Sequence, residues 1–252
     1  MYAYRRALPS LAAARLQSEG VTGEALKQRL AEVERYALTD YLIALASGLE
    51  EGGRAASAKV AEITGLPVAL VERHFARIPT GVFVREFRRD TGKVLSLYDA
   101  TIAAADPGRG RGRRGPDPVL GRSIPVLNSA FVTYVREELG YRTDVSYRVL
   151  NRQVSRHWDY GIGPSQGYAG VMDDLQQARA LNPDLGVLLV SGTADLVTPY
   201  MTARYLTEQV ASLANARPMR VEVLEGGHMM YFRPDSRAAL TSAASGLYET
   251  AD

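Results

Sequence analysis

The chain has 252 residues, 46% of them hydrophobic and 23% charged, with a formal net charge of +2 and no cysteine. That mixture supports a packed core and excludes disordered and collagen-like chains, and at roughly 150 residues per domain it makes one large domain or two modest ones. Without cysteine there is no disulfide, thiolate zinc site or cysteine nucleophile, no apolar run reaches the roughly 18 residues of a membrane helix, and the near-neutral charge implies no polyanionic partner.

The amino terminus, MYAYRRALPSLAAAR, pairs Arg5 and Arg6 with small apolar residues and mimics a short leader. Its apolar stretch, 7–14, is interrupted by Pro9 and Ser10 and falls at the bottom of the range for a signal segment. The expectation is a cytoplasmic chain as written, although the sequence does not fix the compartment. A helix is predicted over 22–47, with Thr22 as N-cap, Glu24 in the first turn and Gly48 as the stop. Leu26, Leu30, Val33, Ala37 and Ala44 form its apolar stripe. Further helices are predicted over 55–63 and 67–78, whereas 81–97 has a mixed pattern and no assignment. The run PGRGRGRRGPDP at 107–118 reads as an exposed loop, and a helix follows over 125–139. Residues 1–160 therefore read as a mainly helical region with little sign of a sheet.

The pattern changes in residues 161–252. A helix over 170–181 presents Val171, Leu175 and Ala178 on one face. LGVLLVS at 185–191 is a continuous apolar run, the mark of a strand buried on both faces. A helix over 199–213, a strand over 219–224 and a helix over 235–250 follow. Strand–helix–strand–helix is the parallel α/β pattern, so the fold class is α/β, with two parallel strands near 186–191 and 219–224.

The two strands lead into Ser191-Gly192-Thr193-Ala194-Asp195 and Glu225-Gly226-Gly227-His228. Parallel strands bring both loops to the carboxyl edge of the sheet, where open α/β proteins place their sites. An Asp beside a His there is the orienting half of a nucleophilic triad. The carboxylate fixes the imidazole tautomer and stabilises the imidazolium when the other nitrogen takes a proton. The competing reading makes Asp195 a cap for the following helix and His228 a turn residue. Taken together rather than singly, the pair favours the catalytic reading.

These residues resemble the serine carboxypeptidases of the α/β-hydrolase fold, in their bacterial branch; arginine in 27 of the 30 basic positions also hints at a GC-rich bacterial genome. VLLVSGTADLVTPY at 187–200 is similar to the segment bearing that family's triad Asp, and EVLEGGHMMYFRPDSRAAL at 222–240 to the segment bearing its His. The likeness extends upstream through Trp158-Asp159-Tyr160, FVTYVREELGY at 131–141 and TGLPVALVERHFARIP at 64–79, which correspond to the helical cap inserted in the hydrolase core. The resemblance implies a partial α/β-hydrolase: a cap region over 1–160, then the last two strands and helices of the core. It implies Asp195 and His228 as catalytic residues and Met229, after the His, as a substrate contact in the leaving-group pocket. It implies no cofactor or metal, a peptide as substrate, and release of its carboxyl-terminal amino acid by Ser-His-Asp acyl transfer. Full-length relatives could be exported.

The family's G-x-S-x-G nucleophile elbow belongs upstream of the cap, after a buried strand. The one match, Gly163-Pro164-Ser165-Gln166-Gly167, follows no strand, carries a proline, and lies too close to Asp195 for the intervening elements, so Ser165 reads as a loop serine. The expectation is a carboxyl-terminal half that is inactive alone and active once a Ser-bearing half is supplied. The alternative is a non-catalytic binding module derived from the same fold. A helix-turn-helix cadence at 59–75 and the arginines of 109–114 raise nucleic-acid binding, but Glu72, Arg73 and His74 among apolar residues, with near-neutral charge, argue against it. His74 and His157 read as structural. The sequence does not set the oligomeric state.

Overall fold

Helix α1 (Tyr2–Ser18) is the most deeply packed element of the computed structural model, which describes residues 2–108, 115–159 and 170–249. Leu8, Leu11, Ala12, Ala13, Ala14 and Leu16 are each at most 4% exposed. A helix apolar nearly all round is a buried helix, which explains why the same residues mimic a leader in sequence. Against α1 packs α2 (Gly23–Leu38), and across a break α3 (Asp40–Ala46) packs on α2. The single helix expected over 22–47 is thus two helices, parted at Thr39, whose φ of −116° and ψ of −99° leave the helical region. The apolar stripe survives the break: Leu26, Leu30 and Ala37 are buried, and Val33 and Ala44 pack on the core. Thr22 occupies the N-cap position without a side-chain capping bond. Instead the Gly23 N–H donates to Glu225 Oε1 at 2.6 Å, tying the start of α2 to the carboxyl-terminal region.

Helix α4 (Glu50–Thr64) starts earlier than expected and lies hard against α3; a Cβ on Gly52 would fall 1.6 Å from the Ala44 carbonyl oxygen. It ends at Gly65, whose φ of 70° only glycine adopts freely. Helix α5 (Val68–Arg73) is shorter than the 67–78 expectation. The chain leaves it through Phe75 and Ala76, with φ of 51° and 56°, a conformation uncommon outside glycine. Two anchors hold this turn: the Tyr41 hydroxyl donates to the Ala76 carbonyl at 2.6 Å, and the Arg77 guanidinium donates to the carbonyls of Leu45, Gly48, Leu49 and Phe75. Val60, Ile63, Leu66, Leu70 and Val71 all join the core, so the helix–Gly–helix cadence at 59–75 is a packing unit.

The unassigned stretch contains α6 (Thr80–Glu86) and β1 (Lys93–Leu95), which pairs antiparallel with β2 (Ala103–Ala105). Three-residue strands carry too little alternation to be read from sequence. Helix α7 (Pro118–Glu137) begins seven residues before the expected 125, because Asp117 caps it and Pro118 takes the first helical position. Helix α8 (Arg152–His157) is short, and α9 (Met172–Leu181) corrects the face expected for 170–181. Val171 and Ala178 are exposed, and the buried residue is Arg179, whose guanidinium bonds to Gln176 Oε1 and, at 2.8 Å, to the Arg217 carbonyl.

The carboxyl-terminal region holds β3 (Leu188–Gly192), α10 (Met201–Gln209), β4 (Arg220–Leu224), a 3₁₀ turn over Met230–Phe232 and α11 (Pro234–Glu249). The strands are parallel, with Leu188 opposite Arg220 and Gly192 opposite Leu224, as expected. The expected burial on both faces is not found: Leu188, Leu189, Val190 and Ser191, and every residue of β4, are half-buried. Helix α11 packs on both strands, whereas α10 packs on α1. Ala194 and Leu196, just beyond β3, belong to the same buried cluster as the helices of the first region. The architecture is therefore mixed helix and sheet, predominantly helical, with two short two-stranded sheets among the described residues. No helix among the described residues is long and apolar enough to cross a membrane.

Candidate functional site

The parallel pairing of β3 and β4 delivers the loops at 193–200 and 225–229 to one edge, and backbone bonds lock them together. The Thr193 N–H donates to the Leu224 carbonyl and the Ala194 N–H to that of Gly226, both at 2.8 Å. The approach is too close for side chains. A Cβ on Gly192 would lie 2.0 Å from the Gly227 carbonyl oxygen, and one on Gly227 2.0 Å from the Tyr98 carbonyl oxygen.

Asp195 is 2% exposed and spends its two oxygens on different partners. Oδ1 accepts from the N–H groups of Val197 and Thr198, at 2.8 and 2.9 Å, closing a tight turn. Oδ2 accepts the Thr198 hydroxyl at 2.6 Å and His228 Nδ1 at 2.8 Å. Helix α10 starts only at Met201, with Tyr200 at its N-cap. The competing sequence reading is thus partly met, since Asp195 closes a turn, but it does not cap the helix.

His228 Nδ1 faces an acceptor-only carboxylate and therefore carries the proton, with the Thr198 hydroxyl oxygen also 3.1 Å away. Its side chain is 42% exposed against 3% for Asp195. No described residue makes a hydrogen bond to Nε2. The pair is a buried carboxylate holding one nitrogen of an imidazole whose other nitrogen has no hydrogen-bond partner among the described residues, an arrangement suited to proton transfer.

A third segment, 96–100, crosses this edge. Ser96 is buried, and its hydroxyl donates to Asp117 Oδ1 at 2.6 Å while accepting from the N–H groups of Tyr98 and Asp99 at 2.9 and 3.1 Å. The Leu97 N–H donates to Asp117 Oδ2 at 2.8 Å. The segment then runs along the Asp195 loop: Leu196 N–H donates to the Leu97 carbonyl at 3.0 Å and Ala100 N–H to the Ala194 carbonyl at 3.1 Å. The His228 N–H donates to the Tyr98 carbonyl at 2.5 Å, and the two rings meet edge to face, centroids 5.6 Å apart at 82°. Tyr98 also lines a cavity of about 830 Å³ together with Leu97, Asp117 and Leu120.

Sequence reasoning reached Asp195 and His228 and missed Thr198 and Tyr98. Thr198 was findable, because a hydroxyl three residues after an Asp is a familiar turn partner. Tyr98 gave no signal; it meets His228 only through tertiary folding. Met229, expected to contact substrate, is half-buried, and its carbonyl accepts the Phe232 N–H at 3.0 Å. Tyr231 sits against Phe232, edge to face. His157 Nδ1 bonds to the Gln153 carbonyl within its own helix, and His74 ends α5. No group of three potential metal ligands occurs among the described residues. Ser165 and the arginines of 109–114 lie outside the described residues.

No protein-family model matches the chain, and neither a curated protein nor a solved structure is significantly similar to it.

Proposed function

We propose that the chain carries the acid–base half of a serine-type carboxypeptidase-like site, in the α/β-hydrolase manner. The observation behind this reading is the 2.8 Å contact from His228 Nδ1 to the buried Asp195 Oδ2, at the edge shared by two parallel strands. In the proposed reaction a serine hydroxyl, supplied by a separate Ser-bearing half, gives its proton to His228 Nε2 while its oxygen attacks the last peptide carbonyl. His228 then passes that proton to the departing amino group, freeing the terminal amino acid and leaving an acyl-enzyme. Water completes the cycle, with His228 again taking and returning one proton. Asp195 holds the tautomer and offsets the charge of the transient imidazolium.

The test is complementation. The chain alone should release no amino acid from an amino-blocked dipeptide. Mixed with a polypeptide carrying the strand and G-x-S-x-G elbow of a serine carboxypeptidase, it should do so, and His228→Ala should abolish the release. A stable chain that no such partner activates would instead fit a binding module derived from the same fold.

A further inference from the structure

We infer that Tyr98 is a positioning residue for His228: the strap at 96–100 fixes where the imidazole sits and which way its ring faces. The two polar contacts of the ring, Asp195 Oδ2 and Thr198 Oγ1, are both at Nδ1 and would allow it to swing about that corner. Tyr98 supplies the missing restraints. Its carbonyl accepts the His228 N–H at 2.5 Å, which fixes the backbone from which the side chain departs. Its ring stands perpendicular to the imidazole, with centroids 5.6 Å apart, an arrangement aromatic pairs favour. Together these hold Nδ1 on the carboxylate and leave Nε2 without a hydrogen-bond partner among the described residues.

The strap can act this way because it is itself held. Asp117 accepts Ser96 Oγ and Leu97 N–H on one side and the Val119 and Leu120 N–H groups, at the start of α7, on the other. Ser96 Oγ in turn receives Tyr98 N–H. A continuous chain of hydrogen bonds therefore runs from the first turn of α7 to the histidine. Gly227 is what admits the strap, since any Cβ there would collide with the Tyr98 carbonyl and with Asp99 Cα at 2.4 Å. The catalytic meaning of this positioning rests on the role proposed for His228, but the positioning itself rests on the geometry.

The test is nitrogen-15 NMR of the imidazole in the whole chain at about pH 8, where an ordinary histidine is neutral. The wild type should show one tautomer, protonated at Nδ1. Tyr98→Phe keeps the ring and the carbonyl and should preserve that pattern. Tyr98→Ala should lose it, giving averaged nitrogen shifts of two tautomers, with circular dichroism unchanged. Should Tyr98→Ala fail to fold, Tyr98→Leu, which keeps bulk and carbonyl without the ring, decides by the same loss. A folded Ala or Leu variant with the wild-type pattern would overturn the inference, as would Tyr98→Phe behaving like them. None of these spectra depends on hydrolysis. A chain with the expected pattern that never supports peptide cleavage would sink the functional reading and leave the positioning intact.

Discussion

Helices α2 and α4 and helix α7 carry the same kind of amphipathic pattern, and their apolar faces meet opposite fates. Leu26 and Val60 are 1% and 0% exposed, whereas Val126, Phe131 and Tyr134 of α7 are 68%, 41% and 53% exposed. Periodicity says that a helix forms and which stripe is apolar; it does not say that anything covers the stripe. The site draws on both regions. Asp195 and His228 stand on the packed side, and Asp117, at the root of the exposed helix, holds the strap that reaches them.

The difference should be largest in the response to truncation. Phe83 is fully buried in α6, and Phe83→Ala should cost about 3–5 kcal/mol, read from urea unfolding. Next comes the glycine that lets strap and histidine loop touch. Gly227→Ala places a Cβ 2.0 Å from a backbone oxygen and should cost about 1–3 kcal/mol by overpacking, with loss of the single-tautomer histidine signal. Asp117→Ala removes the cap of α7 along with both strap bonds and should cost about 1–2 kcal/mol. An effect confined to α7, with the imidazole signal unchanged, would separate the two regions.

Alkali offers a graded test of the packed side. Burial pushes the Tyr36 phenol up to about 12, with Asp40 and Glu62 adding to the shift. Burial also raises Tyr41 and, with the adjacent Glu34 carboxylate that accepts its hydroxyl, Tyr200. A phenol whose folded value lies above its unfolded value near 10 lends stability that is fully present below that pH and fades as pH climbs toward the folded value. Spectrophotometric titration of the 14 tyrosines should therefore show a late-ionising group together with falling stability above about pH 10. Tyr200→Phe should reduce that fall. The smallest effect belongs to α7: Phe131→Ala, at a residue 41% exposed and stacked on Tyr147, should cost about 1 kcal/mol or less. A loss as large as that of Phe83→Ala would mean that α7 is covered in solution.

What the sequence made legible follows the same divide. The two parallel strands and the Asp195–His228 pair were readable, because an apolar run, a glycine-rich turn and an intervening helix are local signals whose pairing obeys topological rules. The stripe of α2 was readable too, but the break at Thr39 was not, since nothing in the local residue types forces a non-helical backbone there. Helix α1 was hidden by its own burial: residues 7–14 are buried all round the helix and leave no apolar period to detect. The face of α9 was misread because Arg179, held by a distant carbonyl, is buried in place of the apolar residues beside it. Tyr98 was beyond reach for another reason. Its role depends on a strap laid across the sheet edge by β1, β2 and the Asp117 cap, and no spacing in the chain encodes that crossing.

The central claim is that His228, oriented by Asp195, is an activating base whose hydroxyl partner comes from a separate Ser-bearing half. Fluorophosphonate labelling followed by peptide mapping tests it most directly, because the probe reports a hydroxyl activated by a neighbouring base. The account predicts no label on the chain alone, a label on the elbow serine of an added Ser-bearing half, and loss of that label with His228→Ala. Labelling of the isolated chain at Ser165, or labelling of the mixture that survives His228→Ala, would contradict it.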